Sequence, residues 1–129
     1  MSRKYKFYDK EGLYFVSFAT VYWIDVFVRD QYFWEVAKSL DHSRKQKGME
    51  IYAWCIMPSH VHLIMRSKEG KPEVLLGEMK RYTSNRMQEL LATNPTESRR
   101  EWILWMMEKA AKDASNVEKR QFWLHHNNQ

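Results

Sequence analysis

The stretch EIYAWCIMPSHVHLIMR, residues 50–66, constrains the fold more than any other part of the chain. Two runs of strand-forming composition, residues 50–57 and 60–66, are separated only by Pro58 and Ser59. A connection this short joins antiparallel neighbours as a hairpin. Alternate side chains on a strand share a face, so Val61, Leu63 and Met65 form one row and His60, His62 and Ile64 the other. The first row is uniformly apolar and belongs to the core. Both histidines then point to the open face of the sheet or into a cleft there, with Cα atoms about 7 Å apart from two strand steps.

The remaining segments build around that hairpin. Residues 13–21, LYFVSFATV, read as a strand. Asp30 predicts the N-cap of a helix over residues 31–47, with Phe33, Val36, Ala37 and Leu40 as its apolar stripe and Gly48 as its stop. Pro72 suits the first position of a second helix reaching about residue 91, whose stripe runs through Leu75, Met79 and Tyr82. Ser98 and Glu101 have the spacing of a capping box for a third helix ending near Ala114. Residues 121–124 form a short strand-like core. The order β-α-β-β-α predicts an α+β fold, with ferredoxin-like topology as the leading candidate. It comprises an antiparallel sheet, helices packed on one face and an extra C-terminal helix.

Length and composition fit one domain, residues 1–129, with 44% hydrophobic residues and six tryptophans. The net charge of +5 points to an anionic partner, nucleic acid being the commonest. No apolar run approaches the roughly 20 residues a membrane helix needs. The N-terminus, MSRKYKFYDK, has no apolar signal core. The single cysteine rules out an internal disulfide, which fits a reducing cytoplasm. Cys55 itself, within AWCIM, reads as a buried core thiol.

Two imidazoles on one strand face can converge on one divalent ion and leave positions for water, another side chain or substrate. A bare H-x-H is a short motif and more often marks two half-exposed histidines on a sheet, hydrogen-bonded to water or backbone. Imidazole suits zinc, nickel, copper or manganese better than magnesium, and two ligands alone make a weak site, so a third polar ligand is expected from another element. His125 and His126 lie among polar residues at the chain end, where solvated side chains are the rule.

Taken in order, YFVSFATVYWIDVFVR, GMEIYAWCIMPSHVHLIM, GEMKRYTSNRM and REWILWMMEKAAKDASNVEKRQFWLHHNNQ resemble the single-tyrosine HUH transposases, and among them the REP-associated tyrosine transposases. The resemblance covers nearly the whole chain. It implies a ferredoxin-like domain whose HUH strand is His60, Val61 and His62, with the histidines holding Mg²⁺ or Mn²⁺. It implies metal-dependent cleavage and rejoining of single-stranded DNA through a 5′-phosphotyrosine intermediate. Partners implied by the family are single-stranded or hairpin DNA and, often, a second copy of the chain.

In these relatives the nucleophilic tyrosine lies in a segment expected beyond Gln129, so the chain is expected to stop before it. The alternative for such a chain is a ferredoxin-like module that binds structured single-stranded DNA without cleaving it. Tyr82, beside Lys80, Arg81 and Arg86, is the internal candidate nucleophile, set against a packing role on the stripe of Leu75 and Met79. Lys80, Arg81 and Arg86 on one helix, and Arg44 and Lys45 at the end of another, are candidate phosphate contacts. Arg3, Lys4 and Lys6 interleave with Tyr5, Phe7 and Tyr8 in a pattern that pairs phosphate contact with base stacking. Arg99, Arg100, Lys119 and Arg120 add further positive charge.

Overall fold

The computed structural model describes Asp9, residues 11–114 and residues 118–124. The basic N-terminal cluster Arg3, Lys4 and Lys6, and the pair His125 and His126, lie outside these residues. Three strands, β1 (Tyr14–Ala19), β2 (Met49–Ile56) and β3 (His60–Ser67), form one antiparallel sheet in the order β1-β3-β2. Among the described residues, three α-helices, α1 (Asp30–Gln46), α2 (Pro72–Thr93) and α3 (Arg100–Asp113), complete the α+β fold. No helix among the described residues is long and apolar enough to cross a membrane.

The predicted hairpin forms with the expected two-residue turn, closed by a 2.7 Å bond from the Met57 N–H to the His60 carbonyl. Val61, Leu63 and Met65 are completely buried and pack with Val36, Leu40, Leu76 and Met79 from α1 and α2. His60, His62 and Ile64 alternate with them on the other face, where each is half-buried. The strand-like segment at residues 121–124 runs beside the end of β1. Thr20 bridges Trp123, while the N–H groups of Val21 and Leu124 donate to Phe122 and Ala19 carbonyls. This is the place of the fourth strand in a ferredoxin-like sheet.

Several local expectations are corrected. Cys55 is exposed, not buried. It pairs with His62 across β2 and β3 and so shares the uncovered face, which an apolar run such as AWCIM does not reveal. The buried stripe of α1 is Tyr32, Glu35, Val36, Ser39, Leu40 and Ser43, so Phe33 and Ala37 sit at its margin. Two small serines let the helix approach its neighbours there, and periodicity counted on large apolar residues alone is blind to them. Tyr82 is 55% exposed. The α2 stripe steps from Met79 to Thr83 and Met87, because Thr83 satisfies its own hydroxyl and thereby becomes a core residue.

Neither predicted cap forms as drawn. Asp30 is the first residue of α1, after Arg29 at the N-cap, where its carboxylate favours the helix dipole. Arg99, not Ser98, caps α3. The buried Glu97 competes successfully for that turn, accepting 2.9 Å bonds from the Arg99 backbone N–H and from its guanidinium. Glu97 also accepts a 3.0 Å bond from the Tyr32 hydroxyl, tying the α2–α3 connection to α1.

Candidate metal centre and nucleic-acid surface

The hairpin places the His60 and His62 rings on one side of β3 with centroids 4.7 Å apart and planes nearly perpendicular. Pairing with β1 sets Ser17 opposite His62 and Ala19 opposite His60. Ser17 Oγ lies 2.7 Å from His62 Nδ1. When that nitrogen carries the proton and donates to Ser17, Nε2 keeps its lone pair and is aimed by the bond. Ser59 Oγ is 3.2 Å from His60 Nδ1 and constrains the second ring in the same way. Burial pushes the His60 imidazole below its ordinary value, and the neighbouring His62 adds to the shift. At neutral pH His60 is therefore held in the uncharged form that can ligate a metal.

Both rings line a small hollow of about 100 Å³ together with Ser17, Phe18, Ala19, Trp23 and Leu124. Its rim is aromatic. The Trp23 ring meets His60 edge-on at 5.1 Å, and Phe15 stacks nearly parallel on His62 at 5.6 Å with a 14° interplanar angle. Trp23 and Phe15 are 51% and 66% exposed. Ser17, Ser59, Trp23 and Phe15 were not singled out from the sequence. Alternation along YFVSFA carried part of the signal, since Phe15, Ser17 and Ala19 share the face that Val16 and Phe18 do not.

The turn that carries Trp23 is unusual. Tyr22 and Trp23 both have left-handed backbones, with φ of 55° and 54°. Each costs an L-residue roughly 1–2 kcal/mol. Thr20 holds the turn, its hydroxyl donating to the Ile24 carbonyl at 2.8 Å and to the Ser59 carbonyl at 3.2 Å. The Thr20 N–H donates to the same Ser59 oxygen at 2.9 Å. The hairpin turn that precedes His60 and the turn that presents Trp23 are thus one hydrogen-bonded unit.

Two imidazoles with free Nε2 positions fit two coordination sites of a divalent ion. Among the described residues, no three His, Cys, Asp or Glu side chains converge to complete a site. The third polar ligand expected from another element is not among those residue types here. Among the described residues, no tyrosine lines the hollow.

Tyr82 and the predicted cations are distributed over other surfaces. Tyr82, Arg81 and Arg86 line a groove of about 830 Å³ between α1 and α2, where they meet Lys38, His42 and Lys47 from α1. That groove lies on the helical layer, whereas the histidines occupy the opposite sheet face. Arg86 is part of an ion-pair network with Glu35 (3.3 Å) and Glu89 (3.0 Å). Arg44 and Lys45 both pair with Asp41, at 2.7 and 3.2 Å. Lys80 turns inward, its ammonium 5.6 Å over the Phe18 ring, and burial pushes its pKa down to about 8. It shares a second groove with Arg81, Arg120 and Gln121. Arg99 is committed to Glu97 and Asp25.

An antiparallel α+β sheet presenting a His-hydrophobic-His strand on its open face defines a ferredoxin-like domain with a paired-imidazole site. The family model for IS200-like transposases matches residues 13–123, from the start of β1 to Trp123. The chain belongs to that family of DNA-processing enzymes, and its partner is DNA. No curated protein matches the chain.

Proposed function

We propose that the chain is an HUH-class transposase domain of the REP-associated type, acting on single-stranded or hairpin DNA in the cytoplasm. The observation that carries this reading is the convergence of His60 and His62 on one hollow, with Ser17 fixing the orientation of His62. His60 and His62 would hold Mg²⁺ or Mn²⁺ through their Nε2 atoms. Such an ion, when bound, offsets negative charge on the phosphate oxygens.

The chain's own groups do the rest of the positioning. Ser17 and Ser59 keep both rings aimed at the hollow, and the hollow itself is too small to admit more than a phosphate and its immediate oxygens. In the proposed reaction a tyrosine oxygen attacks phosphorus while the bond to the 3′ oxygen breaks. That oxygen leaves as a 3′-hydroxyl, and the 5′ end stays as phosphotyrosine. Attack by another 3′-hydroxyl rejoins the strand and frees the tyrosine. The cations of the α1–α2 groove, Lys47, Arg81 and the Glu35-paired Lys38, are suited to the phosphates of a flanking hairpin. A homodimer is part of the proposal.

Because no tyrosine among the described residues lines the hollow, a second reading stands beside the first, in which the domain grips structured single-stranded DNA without cleaving it. Incubation with Mn²⁺ and an end-labelled hairpin oligonucleotide separates the two. A denaturant-resistant protein–DNA adduct supports cleavage, and binding without an adduct supports the module. Replacing both histidines, His60→Ala with His62→Ala, is expected to abolish Mn²⁺ binding by calorimetry while leaving the circular dichroism unchanged. Undiminished Mn²⁺ affinity in that double variant would refute the metal site.

A further inference from the structure

The hollow between the histidines holds about 100 Å³, well short of the roughly 300 Å³ at which small-molecule pockets begin. A phosphate fits there, but the nucleoside attached to it has to lie outside. The rim it would cross on the His60 side is the ring of Trp23. It touches His60 edge-on and leaves half of its surface open.

The half-exposed Trp23 sits on a strained turn between Val21 and Ile24, both of which are buried. Burial of the ring would return hydrophobic free energy, and a relaxed backbone would remove the left-handed cost at Tyr22 and Trp23. The chain instead holds the turn with a set of side-chain and backbone hydrogen bonds. Three join Thr20 to Ser59 and Ile24, and one runs from the Tyr22 hydroxyl to Asp113 on α3 at 3.1 Å. Because Thr20 is fastened to the residue preceding His60, the indole is set in place relative to the imidazole. Backbone strain maintained beside a candidate site, with an open aromatic face as its product, is the pattern expected of a ligand contact.

We propose that Trp23 is a stacking platform for the base adjoining the phosphate held at His60 and His62, a positioning residue that selects an unpaired nucleotide at that step. Every base offers a flat face, so the contact is tolerant of sequence. A base within a duplex is already stacked on both sides and cannot use it. Phe15, stacked on His62 at the other end of the pair, provides an opposing limit to the strand's path. This inference rests on the proposed DNA site for the location of the phosphate, but its test does not require metal.

Binding is measured by fluorescence anisotropy in EDTA, with a labelled short oligothymidylate and an abasic strand of the same length as probes. Trp23→Ala is expected to weaken binding of oligothymidylate by about 5- to 150-fold, the range for loss of one base–aromatic stack. Its affinity for the abasic strand is expected to match that of the parent. Trp23→Phe, which keeps a smaller ring, is expected to lie between the two and controls for damage to the turn. Equal affinity of Trp23→Ala and the parent for oligothymidylate overturns the proposal, as does an equal loss on both probes. Retained Mn²⁺ binding in the histidine double variant would refute the metal site alone and leave the stacking result standing.

Discussion

Ser17 and His62 face each other across β1 and β3, with Oγ 2.7 Å from Nδ1. When the ring donates through Nδ1 to Ser17, Nε2 keeps its lone pair and can ligate a metal. Orienting partners of metal-binding histidines typically account for a 10- to 100-fold difference in affinity. Ser17→Ala is therefore expected to weaken Mn²⁺ binding by about that factor in calorimetry. The melting temperature should change little, because the serine is only half-buried. Full metal affinity in this variant would show that the hydrogen bond is incidental.

Glu97 predicts an acid-sensitive stability. Burial pushes its carboxyl up, but hydrogen bonds from the Arg99 guanidinium, the Arg99 N–H and the Tyr32 hydroxyl outweigh that effect and hold it at about 2. A depressed carboxyl stabilises the folded state above its unfolded value of 4.5. That contribution, at most about 3 kcal/mol, is lost as the pH falls from 4.5 toward 2. Urea midpoints measured between pH 7 and pH 2.5 should fall steeply in the parent. In Glu97→Gln the midpoint at pH 7 should be lower and that part of the acid dependence should be missing.

Thr83 couples α2 to the fourth-strand position. Its hydroxyl donates to the Met79 carbonyl at 2.8 Å and accepts from Trp123 Nε1 at 2.9 Å. Thr83→Val keeps the shape but leaves a buried indole N–H without its acceptor, at a cost of about 1–3 kcal/mol. Chemical denaturation should report that loss. Amide exchange near Val21 and Leu124 should accelerate with it, since their N–H groups bridge the same segment to β1 and its neighbours.

Tyr82 offers a negative control for chemistry. It stands on the helical layer beside Arg81 and Arg86, away from the histidine face. Tyr82→Phe should leave Mn²⁺ affinity and any covalent DNA adduct at the parent level. Disappearance of an adduct in this variant would assign it the nucleophile's role and displace the geometry described above.

The hairpin, the three strands and all three helices were legible in the sequence because each rests on local chemistry. Alternation set the faces of β3, two residues allowed no other connection, and Gly48 and Pro72 punctuate the helices. The histidine face was legible for the same reason. What escaped were features that depend on partners distant in the chain. Ser17 becomes a site residue only through its register with His62. Cys55 is exposed because the face it shares with His62 is uncovered, and Thr83 is a core residue because Trp123 meets its hydroxyl. The cap at Arg99 could not be foreseen either, since Glu97 competes for the turn only once Tyr32 is buried beside it.

The two-residue turn at Pro58 and Ser59 has a consequence for how this domain can vary. Its carbonyls accept from Phe27 and Thr20, so the hairpin tip is pinned to the segment after β1. A single inserted or deleted residue there would shift β3 by one position against its neighbours. Val61, Leu63 and Met65 would then be driven toward water, and both imidazoles into the hydrocarbon interior. Folding and the histidine site thus share one phase, and a length change at the tip cannot spare either. Lineages of this domain should accept substitutions at the tip far more readily than insertions, with the core acting as the proofreader of the site.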